Sequence, residues 1–157
     1  MIEVNATMPT GQLQELKDGE MITHNTDELF ANKKVVVFAV PGAFTPTCPV
    51  AHLPGYVVSA DDLKAKGIDA IICLSVNDAF VMAAWGKAQN AEHLMMLADG
   101  DGSYTKALGL EMETAAFGGL RSQRYSMIID NGVVTNLNVE KPKEFEVSNA
   151  ETILNQL

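Results

Sequence analysis

Cysteine is scarce: the chain of 157 residues carries two, Cys48 and Cys73. Two are too few for a disulfide framework or a structural zinc site. No C-x-x-C occurs, which excludes a thioredoxin-type dithiol pair. Long apolar runs are missing as well. No stretch approaches the roughly 20 residues needed to cross a bilayer. The N-terminus, Met-Ile-Glu-Val-Asn, has no basic segment followed by an apolar one, so no secretory signal is expected. Basic residues are few and dispersed, 11 Lys and Arg against 20 Asp and Glu, for a net charge of −9. Binding to a phosphate backbone draws on clustered cations, so nucleic acid is excluded as a partner, and a membrane is not expected either. With 47% hydrophobic and 20% charged residues the composition is that of a globular chain long enough to bury a core. It reads as one domain over residues 1–157, in the cytoplasm.

The hydrophobic pattern supplies the elements. Val35-Val-Val-Phe-Ala-Val40 is a continuous β-branched run, the mark of a strand buried on both faces, and Pro41-Gly42 ends it. Helical spacing follows from about Thr47 to Lys66, with Val50, Leu53, Val57, Val58 and Leu63 as apolar marks and Gly67 as the stop. Pro54 and Gly55 predict a kink or break inside it. Ala70 to Val76 is a second buried strand, which makes a βαβ unit with parallel strands. Asn77 or Asp78 caps a helix to about Gln89; Leu94 to Ala98 reads as a third strand, and Tyr104 to Leu108 as a short helix. Tyr125–Ile129 and Val133–Val139 flank Asn131-Gly132, a hairpin dipeptide. Ser148-x-x-Glu151 has the spacing of a capping box opening a last helix to Leu157. This order is an α/β, thioredoxin-like layout, a central mixed β-sheet flanked by helices.

Cys48 stands where chemistry is expected. It follows a buried strand by a Pro-Gly turn and falls in the first turn of the next helix, where unpaired N–H groups and the helix dipole favour an anion. Cysteines so placed drop from about 8.5 toward 3.5–7.5. Thr45, three residues earlier, can bring a hydroxyl beside the sulfur, while Pro41 and Pro46 stiffen the loop. Placement by itself leaves Cys48 either a reactive thiolate or the small buried hydrophobe that free cysteine commonly is.

The motif weighs between the two. Pro41-x-x-x-Thr45-x-x-Cys48 resembles the active-site motif of peroxiredoxins, and Val-Pro-Gly-Ala-Phe-Thr-Pro-Thr-Cys continued by His52-Leu-Pro-Gly55 is similar to the peroxiredoxin-5 subfamily. Leu74-Ser-Val-Asn-Asp-Ala-Phe-Val81, Trp85-Gly86 and Arg121-Ser-Gln-Arg-Tyr-Ser-Met127 agree with it. The resemblance implies a thiol peroxidase without cofactor or metal, in which Cys48 attacks hydrogen peroxide or an organic hydroperoxide and becomes a sulfenic acid. It implies Arg124 as the catalytic arginine, Thr45 as the hydrogen-bond partner of the peroxide, and Pro41 as the shield of the sulfenate. The backbone N–H groups of Thr47 and Cys48 are implied as oxygen ligands. Arg121 is expected as a surface or interface arginine. Trp85, Phe44, Phe80 and Phe117 are expected to wall the pocket or to fill the core. Pro49 departs from the family, where a small polar residue is usual; proline fits a first helical position.

Cys73 sits mid-strand, three residues or about 10 Å from the strand end at roughly 3.3 Å each, beyond the roughly 7 Å between Cα atoms that a disulfide spans. It is expected to be buried and structural. The region Glu144 to Ser148 lacks the C-terminal resolving cysteine of some peroxiredoxin-5 members. The resemblance therefore implies a one-cysteine cycle, recycled by glutathione with glutaredoxin ahead of thioredoxin, in a homodimer packed beside the active site. His52, four residues after Cys48, is expected to hydrogen-bond within its own helix. Two other classes use the same thiol: a peroxide sensor or chaperone, and a thiol hydrolase with His52 as base.

Overall fold

The computed structural model describes residues 1–46 and 52–157. Three parallel strands form its centre: β3 (Lys34–Val40), β4 (Ala70–Ser75) and β5 (Met95–Ala98), with β1 (Gln12–Lys17) and β2 (Glu20–Asn25) preceding them in the chain. β8 (Tyr125–Asp130) runs antiparallel to β3 and pairs in turn with β9 (Val133–Val139). On the other side β1 adds antiparallel to β5 and β2 to β1. The sheet is therefore mixed, in the order β2-β1-β5-β4-β3-β8-β9, while β6 (Glu111–Glu113) and β7 (Leu120–Ser122) form a separate small hairpin. The thioredoxin-like expectation holds.

Both faces of the central strands are covered, which is why they read as unbroken apolar runs rather than alternating ones. Val36, Phe38, Ile71, Cys73 and Met96 face α2 (His52–Ala65), α3 (Ala79–Ala88) and α5 (Ala150–Gln156), where Leu53, Tyr56, Met82 and Ile153 complete one core. Val35, Val37, Ile72, Leu74 and Leu97 face the other way, onto α1 (Thr26–Phe30) and α4 (Ser103–Leu108) through Phe30, Tyr104 and Leu108.

Two expectations need correction, and one element was not expected. α2 runs unbroken through Pro54 and Gly55; this turn is held from outside, because Tyr56 donates to the Ser148 carbonyl at 2.8 Å and Leu53 is buried. The cap of α5 is Asn149, whose side chain accepts from Thr152 N–H at 2.8 Å, since Ser148 is engaged elsewhere. The N-terminal hairpin of β1 and β2 has no counterpart in the sequence reading. Asp78, by contrast, caps α3 as expected, accepting from Val81 N–H.

Candidate active site

The carboxyl ends of β3 and β4 meet through polar ties. The Ser75 hydroxyl donates to Asn77 Oδ1 at 2.6 Å, and the same oxygen accepts from Ala43 N–H at 2.9 Å. The loop after β3 is thereby fixed to the one after β4. Within it, the Thr45 hydroxyl donates to the Gly42 carbonyl at 2.6 Å, which leaves its lone pairs free to accept. A Cβ at position 42 would lie 2.8 Å from Thr45 Cγ2 and 3.2 Å from Arg121 Nη1, so glycine is what lets these side chains close in. Phe44 adopts φ 61°, an uncommon conformation for an aromatic residue and a mark of local strain.

Arg121, expected as a surface or interface arginine, is bound into its own chain. It is half-buried, donating from Nε to the Gly118 carbonyl and from Nη1 to the Val76 carbonyl, each at 3.1 Å. It ties the β6–β7 hairpin to the chain after β4.

Arg124 immediately precedes β8, beside β3, and is half-buried. Its Nη1 lies 2.7 Å from His52 Nδ1, and His52 Nε2 lies 2.9 Å from the Ser148 carbonyl. A carbonyl only accepts, so Nε2 carries the proton and Nδ1 receives the guanidinium N–H. Burial first, then the Arg124 charge, lower the His52 pKa from 6.5 to about 3. His52 thus bonds outside its own helix. Its basic nitrogen is occupied by a cation, so His52 is not available as the base of a hydrolase. Phe145 packs its ring 4.8 Å from that of His52, with Arg124 Cζ 5.9 Å from its centroid.

Pro41, Thr45, Arg124 and Phe117 line one cavity of about 700 Å³, together with Met112, Gln123 and residues 140–144. Thr45 and Arg124 also face a smaller cavity of about 190 Å³, walled by Phe44, His52 and Trp85. Four of the expected site residues therefore converge; Thr47 and Cys48 lie outside the described residues. Phe80 lines neither cavity and is 64% exposed, so it fills no core. Met112, Gln123, Glu140 and Ser148 are not among the expected site residues: Gln123 stands within the Arg121–Met127 block and Ser148 heads a capping-box spacing, but neither signal points to the site. Cys73 is fully buried in β4, in register with Phe38 and Met96, and burial raises its thiol pKa. Among the described residues no three His, Cys, Asp or Glu side chains gather into a metal site, and no helix is long and apolar enough to cross a membrane.

A guanidinium and a threonine converge at the carboxyl ends of parallel strands in a thioredoxin-like fold, which accords with one class of protein: thiol-based oxidoreductases. The Redoxin family model matches residues 3–154. Peroxiredoxin-2D of Arabidopsis thaliana is 48% identical over 159 residues, 99% of this chain and 98% of that protein. The crystal structure of reduced Prx3 from Vibrio vulnificus in complex with hydrogen peroxide is 70% identical, with a TM-score of 0.96 and 99% of each chain covered. Peroxiredoxin 5 from Alvinella pompejana is 34% identical with a TM-score of 0.85, covering 99% of this chain and 97% of that one. The chain belongs to the Redoxin family as a peroxiredoxin, a thiol-dependent peroxidase that reduces hydroperoxides at the expense of thiols.

Proposed function

We propose that Cys48 is the peroxidatic thiol and that Pro41, Thr45 and Arg124 form its working surroundings. The observation that carries this reading is the convergence of those three on one cavity, at the segment 41–46 that leads directly into Cys48. The thiolate sulfur attacks one peroxide oxygen; the S–O bond forms as the O–O bond breaks. The departing hydroxide or alkoxide takes up a proton and leaves as water or alcohol, and sulfur is oxidised to the sulfenic acid. The Arg124 guanidinium favours thiolate over thiol and stabilises the charge that moves onto the leaving oxygen. The Thr45 oxygen accepts from the peroxide, the N–H groups of Thr47 and Cys48 complete its binding, and Pro41 and Phe117 exclude water.

Two molecules of an external thiol then reduce the sulfenic acid, releasing water and a disulfide. An external donor is favoured because Cys73 is sealed in the core with a raised pKa. Glutathione with glutaredoxin is the donor we favour, with thioredoxin second. The peroxiredoxin-5 likeness rests on the loop motif and the 34% identity above, while the higher identities are to proteins named otherwise. A single catalytic domain over residues 1–157, a cytoplasmic location and a homodimer complete the proposal. Support for the dimer is the exposure of Phe44 and Phe117, which line the two cavities, and of Phe80 at the start of α3.

Peroxide consumption coupled to glutathione and glutaredoxin, or to thioredoxin and its reductase, tests the reading. Cys48→Ser is expected to abolish turnover, Arg124→Ala to slow it roughly a hundredfold, and Cys73→Ser to leave it near normal. Full activity in Cys48→Ser would sink the assignment. A single oxidation without sustained consumption would point to a sensor.

A further inference from the structure

Glu140, just after β9, is a charge beside the site that the peroxide chemistry does not use. It is 6% exposed and lines the larger cavity; among the described residues no cation comes within ion-pair distance of it, although its charge acts on Arg124. Its carboxylate instead accepts from the N–H groups of Glu146, Val147 and Ser148 and from the Ser148 hydroxyl, at 2.7–2.9 Å. Four donors from three successive residues fold the segment 140–148 back on one anion. Burial opposes the charge, but these bonds outweigh it and hold the carboxyl below its ordinary pKa.

The loop closed in this way reaches Arg124 by three routes. The Ser148 carbonyl accepts from His52 Nε2 and Tyr56 Oη, at 2.9 and 2.8 Å, and His52 Nδ1 in turn receives the guanidinium. Phe145, inside the loop, packs against both the His52 ring and the guanidinium. The Glu140 N–H itself donates to the Arg124 carbonyl at 2.9 Å. Backbone and side chain of Arg124 are thus held from one residue.

We propose that Glu140 is a positioning residue for Arg124. By closing the loop it aims the Ser148 carbonyl at His52, which keeps the His52 proton on Nε2 and presents Nδ1 to the guanidinium. An amide at position 140 keeps one accepting oxygen and sets an NH2 against backbone donors. The loop then loosens, His52 loses the carbonyl that fixes its tautomer, and Arg124 loses its acceptor. This rests on the reading of Arg124 as the cation facing the Cys48 thiolate.

The test compares wild type, Glu140→Gln, Arg124→Gln and the double variant in single-turnover reaction with hydrogen peroxide, across pH. Glu140→Gln is expected to lower the second-order rate constant about tenfold and to move the acid limb of its pH profile upward, because a displaced guanidinium favours the thiolate less. The double variant should be no slower than Arg124→Gln alone, as expected of two groups acting in series. Nitrogen NMR of the His52 ring should report loss of the single Nε2–H tautomer in Glu140→Gln. If that variant does not fold by circular dichroism, Ser148→Ala, which removes one donor to the carboxylate, should shift rate and pH limb in the same direction by less. An unchanged rate and pH limb in the folded variant beside a slow Arg124→Gln would overturn the proposal and leave the site reading intact, as would losses that multiply in the double variant. Arg124→Gln as fast as wild type would overturn the site reading itself.

Discussion

A neutral histidine buried against a guanidinium accepts a proton only when the fold gives way. His52 is 2% exposed and its pKa is lowered from 6.5 to about 3. Between those values the unfolded chain binds a proton that the native ring refuses, so stability falls as pH falls through the window, by about 1.4 kcal/mol per unit at most. Glu140 adds to this at lower pH. Its depressed carboxyl contributes stability above the unfolded value and loses it as pH drops through the native one. Urea unfolding from about pH 7 to about pH 4 should therefore show a midpoint declining with acid, and a flatter decline in a folded His52→Asn variant. A wild-type midpoint independent of pH would contradict the neutral, buried ring. Cys73 is the opposite kind of residue: its burial raises the thiol pKa, and no charged form is needed there.

At the scale of elements, β8 separates structure from chemistry along its own length. Arg124 precedes its first residue, and the Asn131-Gly132 turn follows its last. Both turn residues have positive φ, 48° and 79°, as the tight hairpin requires, and nothing lies within 4 Å of a Cβ built at position 132. Gly132→Ala thus carries a backbone cost alone. It should destabilise by about 1–2 kcal/mol in urea unfolding while the peroxide rate constant stays at the wild-type value. A loss of rate would mean that the far end of β8 is coupled to the site. The loop before α5 illustrates competition between elements: Ser148 has the spacing of a cap, but its N–H and hydroxyl both serve Glu140, so Asn149 takes the cap.

For the whole molecule, the consequence to test is assembly. Phe44, Phe80 and Phe117 expose 60%, 64% and 65% of their surface, apolar area that packing against a second copy would remove from water. Sedimentation should find wild type as a dimer, and Phe80→Asp as a folded monomer by circular dichroism. Wild type sedimenting as a monomer at micromolar concentration would remove the dimer. The net charge of −9 keeps such copies soluble without steering a neutral peroxide toward the site.

The central strands, α3, the β8–β9 hairpin and the layout of the fold are legible in the amino-acid sequence, because burial on two faces and turn chemistry are local signals. The sequence also marked Pro41, Thr45 and Arg124, through a motif rather than through any spacing that geometry demands. β1 and β2 went unread: Gln, Glu and Lys are weak strand formers, and Asp18-Gly19 was the turn signal available. The way Arg124 is held emerges in the folded chain. His52 meets Arg124 across 72 positions and Ser148 across 96, and each of these side chains has a plausible local role that distance in sequence cannot rule out. A hydrogen bond depends on direction and on who else competes for the same atom, and both are settled when the sheet brings the loop before α5 against α2.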